Sequence, residues 1–142
     1  MTLARGEAVR QVNTTLPDLR AEEVGVLRRI VAGYLDLWQM TGATDTAVLC
    51  VTELLTNVIR HAFGTCELLM RECPDGRLMI AVTDFSVRPV VFPRLAPDDE
   101  CGRGLSLVHA LSDEIGVDYN PAGKQVWLCL TPSRATSTDT SD

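Results

Sequence analysis

What this sequence lacks narrows it early. Its five cysteines (Cys50, Cys66, Cys73, Cys101 and Cys129) are odd in number and form no Cys-x-x-Cys pair. Only two histidines, His61 and His109, accompany them. A zinc site is therefore not expected, and the thiols read as reduced side chains of a cytoplasmic protein. No apolar run reaches the ~18 residues of a membrane span. Residues 1–7 hold no apolar core of the kind a secretory leader needs, so none is expected. Positive charge is scarce too. Thirteen Lys and Arg against nineteen Asp and Glu leave a formal net charge of -6, which argues against a surface built for nucleic-acid phosphates. A local basic site for a nucleotide remains compatible with that balance.

What is present suffices for one domain. The chain has 142 residues, 46% of them hydrophobic, an ordinary value for a globular core. Weak alternation over residues 7–14, with Val9 and Val12 inward, predicts a first strand. A helix start is read at residues 15–17, followed by Leu19, Val24, Leu27, Ile30, Val31, Tyr34, Leu35 and Trp38 at helical spacing. Thr41-Gly42 ends it. Thr44 or Asp45 can cap a second helix whose apolar positions run from Val48 to Ile59, with Gly64 closing it. Strands over 66–72 and 77–83 follow, joined by the turn Pro74-Asp75-Gly76.

Residues 85–101 carry Pro89, Pro93, Pro97 and the acidic run Asp98-Asp99-Glu100, and read as a long functional loop. A helix around Gly102 and strands over 115–119 and 125–130 complete the domain. A Ser/Thr-rich tail, residues 132–142, is expected to be disordered. The order β-α-α-β-β-loop-α-β-β predicts an α+β fold over residues 1–131. It would be a two-layer sandwich with a mixed, mostly antiparallel sheet and helices on one face.

Chemistry concentrates in three places. Glu53 and Asn57 stand four residues apart, so they stack on one face of the second helix. Thr52, Thr56 and Arg60 extend them into a narrow polar stripe beside Leu54, Leu55, Val58 and Ile59. That stripe either faces solvent or floors a polar pocket. A carboxamide oxygen is a hard metal ligand and a carboxylate can take a proton, so the pair suits a hydrated Mg²⁺ carrying a nucleotide. His61, nearby, reads as a helix-end structural residue with no catalytic role.

Asp84 ends an apolar strand. It either caps the following turn through its own backbone or accepts the exocyclic amine of adenine. Gly102-Arg103-Gly104 opens a helix, where backbone N–H groups and the helix dipole favour an anion. The alternative is a glycine-containing turn with a solvated arginine, and neither the dinucleotide nor the P-loop pattern is matched. On the first helix, Arg20, Glu22, Glu23, Arg28 and Arg29 form a partner-facing surface or simply a solvated face.

Together, Glu53-x-x-x-Asn57 on a helix, Asp84 after a strand, Gly102-x-Gly104 opening a helix and Gly123 in the last hairpin resemble the ordered boxes of the GHKL ATP-binding fold. That fold is shared by gyrase-type ATPases, histidine kinases and MutL. The blocks over residues 51–62 and 102–108 are especially similar to actinobacterial single-domain anti-sigma factor serine/threonine kinases.

The resemblance implies ATP or ADP with Mg²⁺ as cofactors, Asn57 on the metal, and Glu53 as catalytic general base. It places Asp84 on adenine and residues 85–101 as a lid. Gly102, Arg103 and Gly104 would lie at the phosphates, with Leu105 and Gly123 completing the cofactor-binding set. It also implies a homodimer that silences a sigma factor and phosphorylates a STAS-type anti-anti-sigma factor, without direct contact to nucleic acid or membrane. The alternative on the same fold is a non-catalytic partner-binding module with a weak ATP site.

The chain departs from the family pattern at three points. Ser86 and Arg88 stand where glycines usually follow the aspartate. Lys124 and Gln125 follow Gly123 where threonine is common, leaving the Gln125 amide as the group available to replace the threonine contact. The lid is short and proline-rich.

Overall fold

Strands with alternating burial and helices with one apolar stripe have to close on each other, and here they do so in two layers. The computed structural model describes residues 10–62, 64–86 and 100–132, with backbone alone for 100–105. The elements are β1 (Gln11–Leu16), α1 (Ala21–Leu37), a 3₁₀ turn (Thr41–Ala43), α2 (Thr44–His61), β2 (Cys66–Glu72), β3 (Leu78–Asp84), α3 (Glu100–Leu111), β4 (Glu114–Asn120) and β5 (Gly123–Leu130). The sheet order is β1-β2-β3-β5-β4, and each neighbouring pair is antiparallel. The expected α+β order is observed. The sheet is antiparallel throughout its described strands rather than mixed.

Because side chains alternate along a strand, the register decides what faces the helices. Cys66, Leu68 and Met70 of β2, Leu78, Ile80 and Val82 of β3, and Val126, Leu128 and Leu130 of β5 share one buried face. Val24, Leu27, Val31 and Leu35 of α1 close over it, with Cys50, Val51, Leu54, Leu55 and Val58 of α2 and Val108 of α3. On the opposite face, Leu69, Ala81, Trp127 and Gly116 form one cross-strand row. The Trp127 ring lies over Gly116, where a Cβ would come within 2.6 Å of it.

Two expected boundaries move. Residues 15–16 belong to the sheet, with Leu16 opposite Cys66, so the helix does not start at 15–17. It starts at Ala21, where the Glu23 carboxylate accepts the Arg20 N–H at 2.9 Å and the Glu23 N–H donates to the Arg20 carbonyl at 2.9 Å. Strand pairing overrides the local cap signal. Likewise α3 begins at Glu100, ahead of Gly102. Of the first strand, Val12 packs on the core, while Val9 lies outside the described residues, as do residues 87–99 of the expected lid and 133–142 of the tail. The 74–76 turn is present, with Gly76 at φ 89° and the Asp75 carboxylate accepting the Arg77 N–H at 3.0 Å. Among the described residues no helix is long and apolar enough to cross a membrane.

Candidate functional site

Along β3 and β5 the helix-facing side of the sheet is apolar until its end at Asp84 and Lys124. These two are register partners on β3 and β5, in phase with the inward rows just described. They are the buried charged residues among those described, 4% and 5% exposed. The Lys124 ammonium donates to Asp84 Oδ1 at 3.0 Å and, at 3.5 Å, to the Ser86 carbonyl. The Ser86 N–H donates to the same Oδ1 at 2.9 Å. Asp84 thus does cap its own turn, and it spends one oxygen doing so.

Gly123 sets this approach. A Cβ there would run into the Asp84 carbonyl oxygen and stand 2.7 Å from Phe85 Cα, so only glycine lets β5 begin this close to β3. Asn120 holds the turn before it, its Oδ1 accepting the Ala122 and Gly123 N–H groups at 2.8 and 2.9 Å.

Glu53 and Asn57 sit on α2, which packs against α1, α3 and β3. Leu54 and Val58 are buried, whereas Glu53 and Asn57 are half-buried, at the margin of the core stripe. Among the described residues neither makes a side-chain hydrogen bond or ion pair, and none joins them to Asp84. One turn before Glu53, the Cys50 thiol is pushed up to about 11, by burial first and by the Glu53 charge second. Cys66, opposite Asp84 in the ladder, is pushed up to about 11 by burial and then by the charge of Asp84. Both are inert thiols by this measure.

Gly102, Arg103, Gly104 and Leu105 lie in the opening turns of α3. Gly102 falls within the first turn, whose N–H groups have no intrahelical acceptor. The side chains of Arg103 and Leu105 lie outside the described residues.

These residues fit a nucleotide at one decisive point. Among the described residues, Asp84 Oδ2 receives no hydrogen bond although it is buried, and an acceptor in that position is costly without a donor. An exocyclic amine supplies one. For a metal, Asn57 offers a hard oxygen. No group of three His, Cys, Asp or Glu side chains converges among the described residues. A single hard oxygen suits an ion that brings most of its other ligands with it, as phosphate oxygens and water.

The model of the histidine kinase-like ATPase domain matches residues 18–130, from the end of the β1–α1 connection to the last residue of β5. The chain belongs to the histidine kinase-like ATPase family. Domains of this family bind ATP with Mg²⁺. Among solved structures, the RsbU and RsbW domains of Rv1364c from Mycobacterium tuberculosis are similar, with a TM-score of 0.65 and 16% identity over 87% of this chain and 33% of that one. At that identity the likeness is one of fold, and this chain spans about a third of the length of the solved one. No curated protein matches significantly.

In this histidine kinase-like ATPase domain, one sequence expectation is reversed. Gln125 does not face Asp84. Strand alternation turns it to the opposite side of the sheet, where its Nε2 donates to Thr83 Oγ1 at 3.0 Å. Lys124 faces Asp84 instead. The signal was available: Lys124 is in phase with Val126, Leu128 and Leu130, so the period of two that buries those residues buries the lysine too.

Proposed function

We propose that this chain is an anti-sigma factor that also transfers the γ-phosphate of ATP to a serine of a STAS-type anti-anti-sigma factor. The observation that carries this reading is the Glu53–Asn57 pair. It is half-buried, has no described partner, and sits on α2 of a histidine kinase-like ATPase domain.

When bound, Mg-ATP supplies the phosphoryl group and much of the charge neutralisation that transfer needs. The chain supplies position and proton handling. The Asn57 carboxamide holds the metal. Glu53 takes the proton of the attacking serine hydroxyl. Asp84 binds the base, and N–H groups at the start of α3 meet the phosphates. A protein partner has a surface to meet, because α1 exposes Val26, Ile30 and Leu37 beside Arg28 and Arg29. The working form in this reading is a homodimer.

The test is incubation of the purified chain with γ-labelled Mg-ATP and its cognate STAS partner, recovered by pull-down. Phosphoserine on the partner is expected, lost in Glu53→Ala while ATP binding persists. Absence of transfer removes the kinase half of the proposal. Equal loss of binding and transfer in the variant contradicts a general-base role.

A second reading, a partner-binding module with a weak ATP site, is favoured by the Lys124 ammonium seated on Asp84, which takes up part of the acceptor capacity a base would use. Calorimetry with Mg-ATP separates the two, since micromolar affinity corresponds to about 8 kcal/mol and counts against a vestigial site.

A further inference from the structure

We infer that Lys124 is a second base-reading group, its ammonium donating to the ring nitrogen N1 of adenine while Asp84 Oδ2 accepts the adjacent exocyclic amine. This rests on the nucleotide-binding reading above and adds to it a determinant of base identity.

The argument begins with unspent hydrogen-bonding capacity. An ammonium carries three donors. Lys124 gives one to Asp84 Oδ1 at 3.0 Å and a long one to the Ser86 carbonyl at 3.5 Å. At 5% exposure the third proton has little water and, among the described residues, no acceptor. Beside it, Asp84 Oδ2 is an acceptor with no donor among the described residues. The floor therefore presents one donor next to one acceptor, both buried. A ligand edge with an acceptor next to a donor completes it, and N1 with the exocyclic amine of adenine is such an edge.

The state of Oδ1 discriminates further. It already accepts from both Lys124 and the Ser86 N–H. Only Oδ2 remains open, so a ligand cannot pair across both carboxylate oxygens. Guanine offers a carboxylate two adjacent N–H groups and is best met by two open oxygens. The half-occupied carboxylate suits the base with one donor.

Charge points the same way. Alone, Asp84 would be a buried anion beneath a neutral ring; paired with Lys124, the floor is close to neutral overall. The pairing is also built in. Gly123 and the Asn120 turn fix the start of β5, and the β3–β5 register sets Lys124 opposite Asp84.

The experiment is equilibrium binding of the full chain, by calorimetry, to the Mg complexes of four triphosphates. These are ATP, 1-deaza-ATP (no N1 acceptor), purine riboside triphosphate (no exocyclic amine) and GTP. The wild-type chain is expected to bind ATP about tenfold more tightly than either adenine analogue, the worth of one hydrogen bond to a charged group, and GTP most weakly. In Lys124→Met, with folding checked by circular dichroism, the preference for ATP over 1-deaza-ATP disappears while that over purine riboside triphosphate persists. The analogue series on the wild-type chain stands whether or not the variant folds. Equal affinity for ATP and 1-deaza-ATP, or tighter binding of GTP than ATP, overturns the role of Lys124 and leaves nucleotide binding intact. Failure of all four to bind overturns the nucleotide reading and this inference with it.

Discussion

Two polar pairs stand among the candidate residues, and they are solved in opposite ways. Asp84 and Lys124 are held by facing strands, almost wholly buried, 3.0 Å apart and bonded to each other. Glu53 and Asn57 share one edge of α2, are half-buried, and have no described partner. The first pair must be satisfied inside the protein before any ligand arrives, because a lone buried charge is costly. The second can rely on water until a ligand comes. In the proposed reading, the strand pair therefore couples binding to folding, whereas the helix pair leaves function nearly independent of stability. That contrast can be broken or sharpened by substitution.

The largest effect is expected from splitting the strand pair. Lys124→Met leaves Asp84 buried and uncompensated and should cost about 3–5 kcal/mol of stability. Asp84→Asn should cost a similar amount by stranding the ammonium. The double variant Asp84→Asn/Lys124→Met removes both charges and should recover most of the loss, since the gain from a buried pair is largely offset by desolvation. Urea denaturation of the four proteins forms a double-mutant cycle. Additive losses would show that the two charges do not depend on each other, and the contrast with the helix pair would fall.

Next in size is Gly123→Ala. Its methyl group would meet the Asp84 carbonyl and Phe85 Cα, both backbone atoms that cannot turn aside. A cost of about 1–3 kcal/mol is expected from forced displacement. The Asp84–Lys124 distance should also lengthen, so a crystal structure of the variant tests the coupling directly. An unchanged melting temperature would mean that the close approach of β5 to β3 is relaxed in solution.

The same contrast explains what was legible in the sequence. Helical spacing marked α1 and α2, and the 74–76 turn marked the β2–β3 hairpin, because those signals are local. Glu53 and Asn57 stood out for the same reason, two polar residues one turn apart inside an apolar pattern. The Asp84–Lys124 pair was not legible as a pair. Forty residues separate its members, and only the β3–β5 register brings them together. The choice between Lys124 and Gln125 depended on strand phase, where a shift of one residue exchanges the faces. The start of α1 was misplaced because β1 pairs through Leu16 with β2, a long-range contact that outweighs a local cap.

Each pair also has a thiol beside it that reports on it. Cys66 faces Asp84 and Cys50 lies near Glu53; both are pushed from 9.0 up to about 11, chiefly by burial. In the unfolded chain these thiols ionise near their ordinary value, while the folded protein keeps them protonated. Their contribution to stability is therefore complete below about pH 9 and is lost as pH rises toward about 11. The urea midpoint should fall between about pH 8 and about pH 10.5, and Cys50→Ala and Cys66→Ala should each flatten that slope. Asp84→Asn should lower the Cys66 value and spare Cys50, and Glu53→Gln should do the reverse. If either carboxylate moved both thiols, the two pairs would not be electrically separate.

The smallest effect on stability is expected where the effect on function is greatest. Glu53→Ala and Asn57→Ala remove half-buried side chains with no described partner, so each should change stability by no more than about 0.5 kcal/mol. Alanine is also the better helix former at both positions. With phosphoryl transfer as the readout, Glu53→Ala should abolish product formation at nearly unchanged melting temperature, and Asn57→Ala should weaken the Mg²⁺ dependence of nucleotide binding. Loss of function without loss of stability is what a ligand-facing pair predicts. A destabilisation as large as that of Lys124→Met would instead reveal that Glu53 and Asn57 are held by the protein itself, and the distinction between a floor built into the fold and an edge reserved for the ligand would no longer hold.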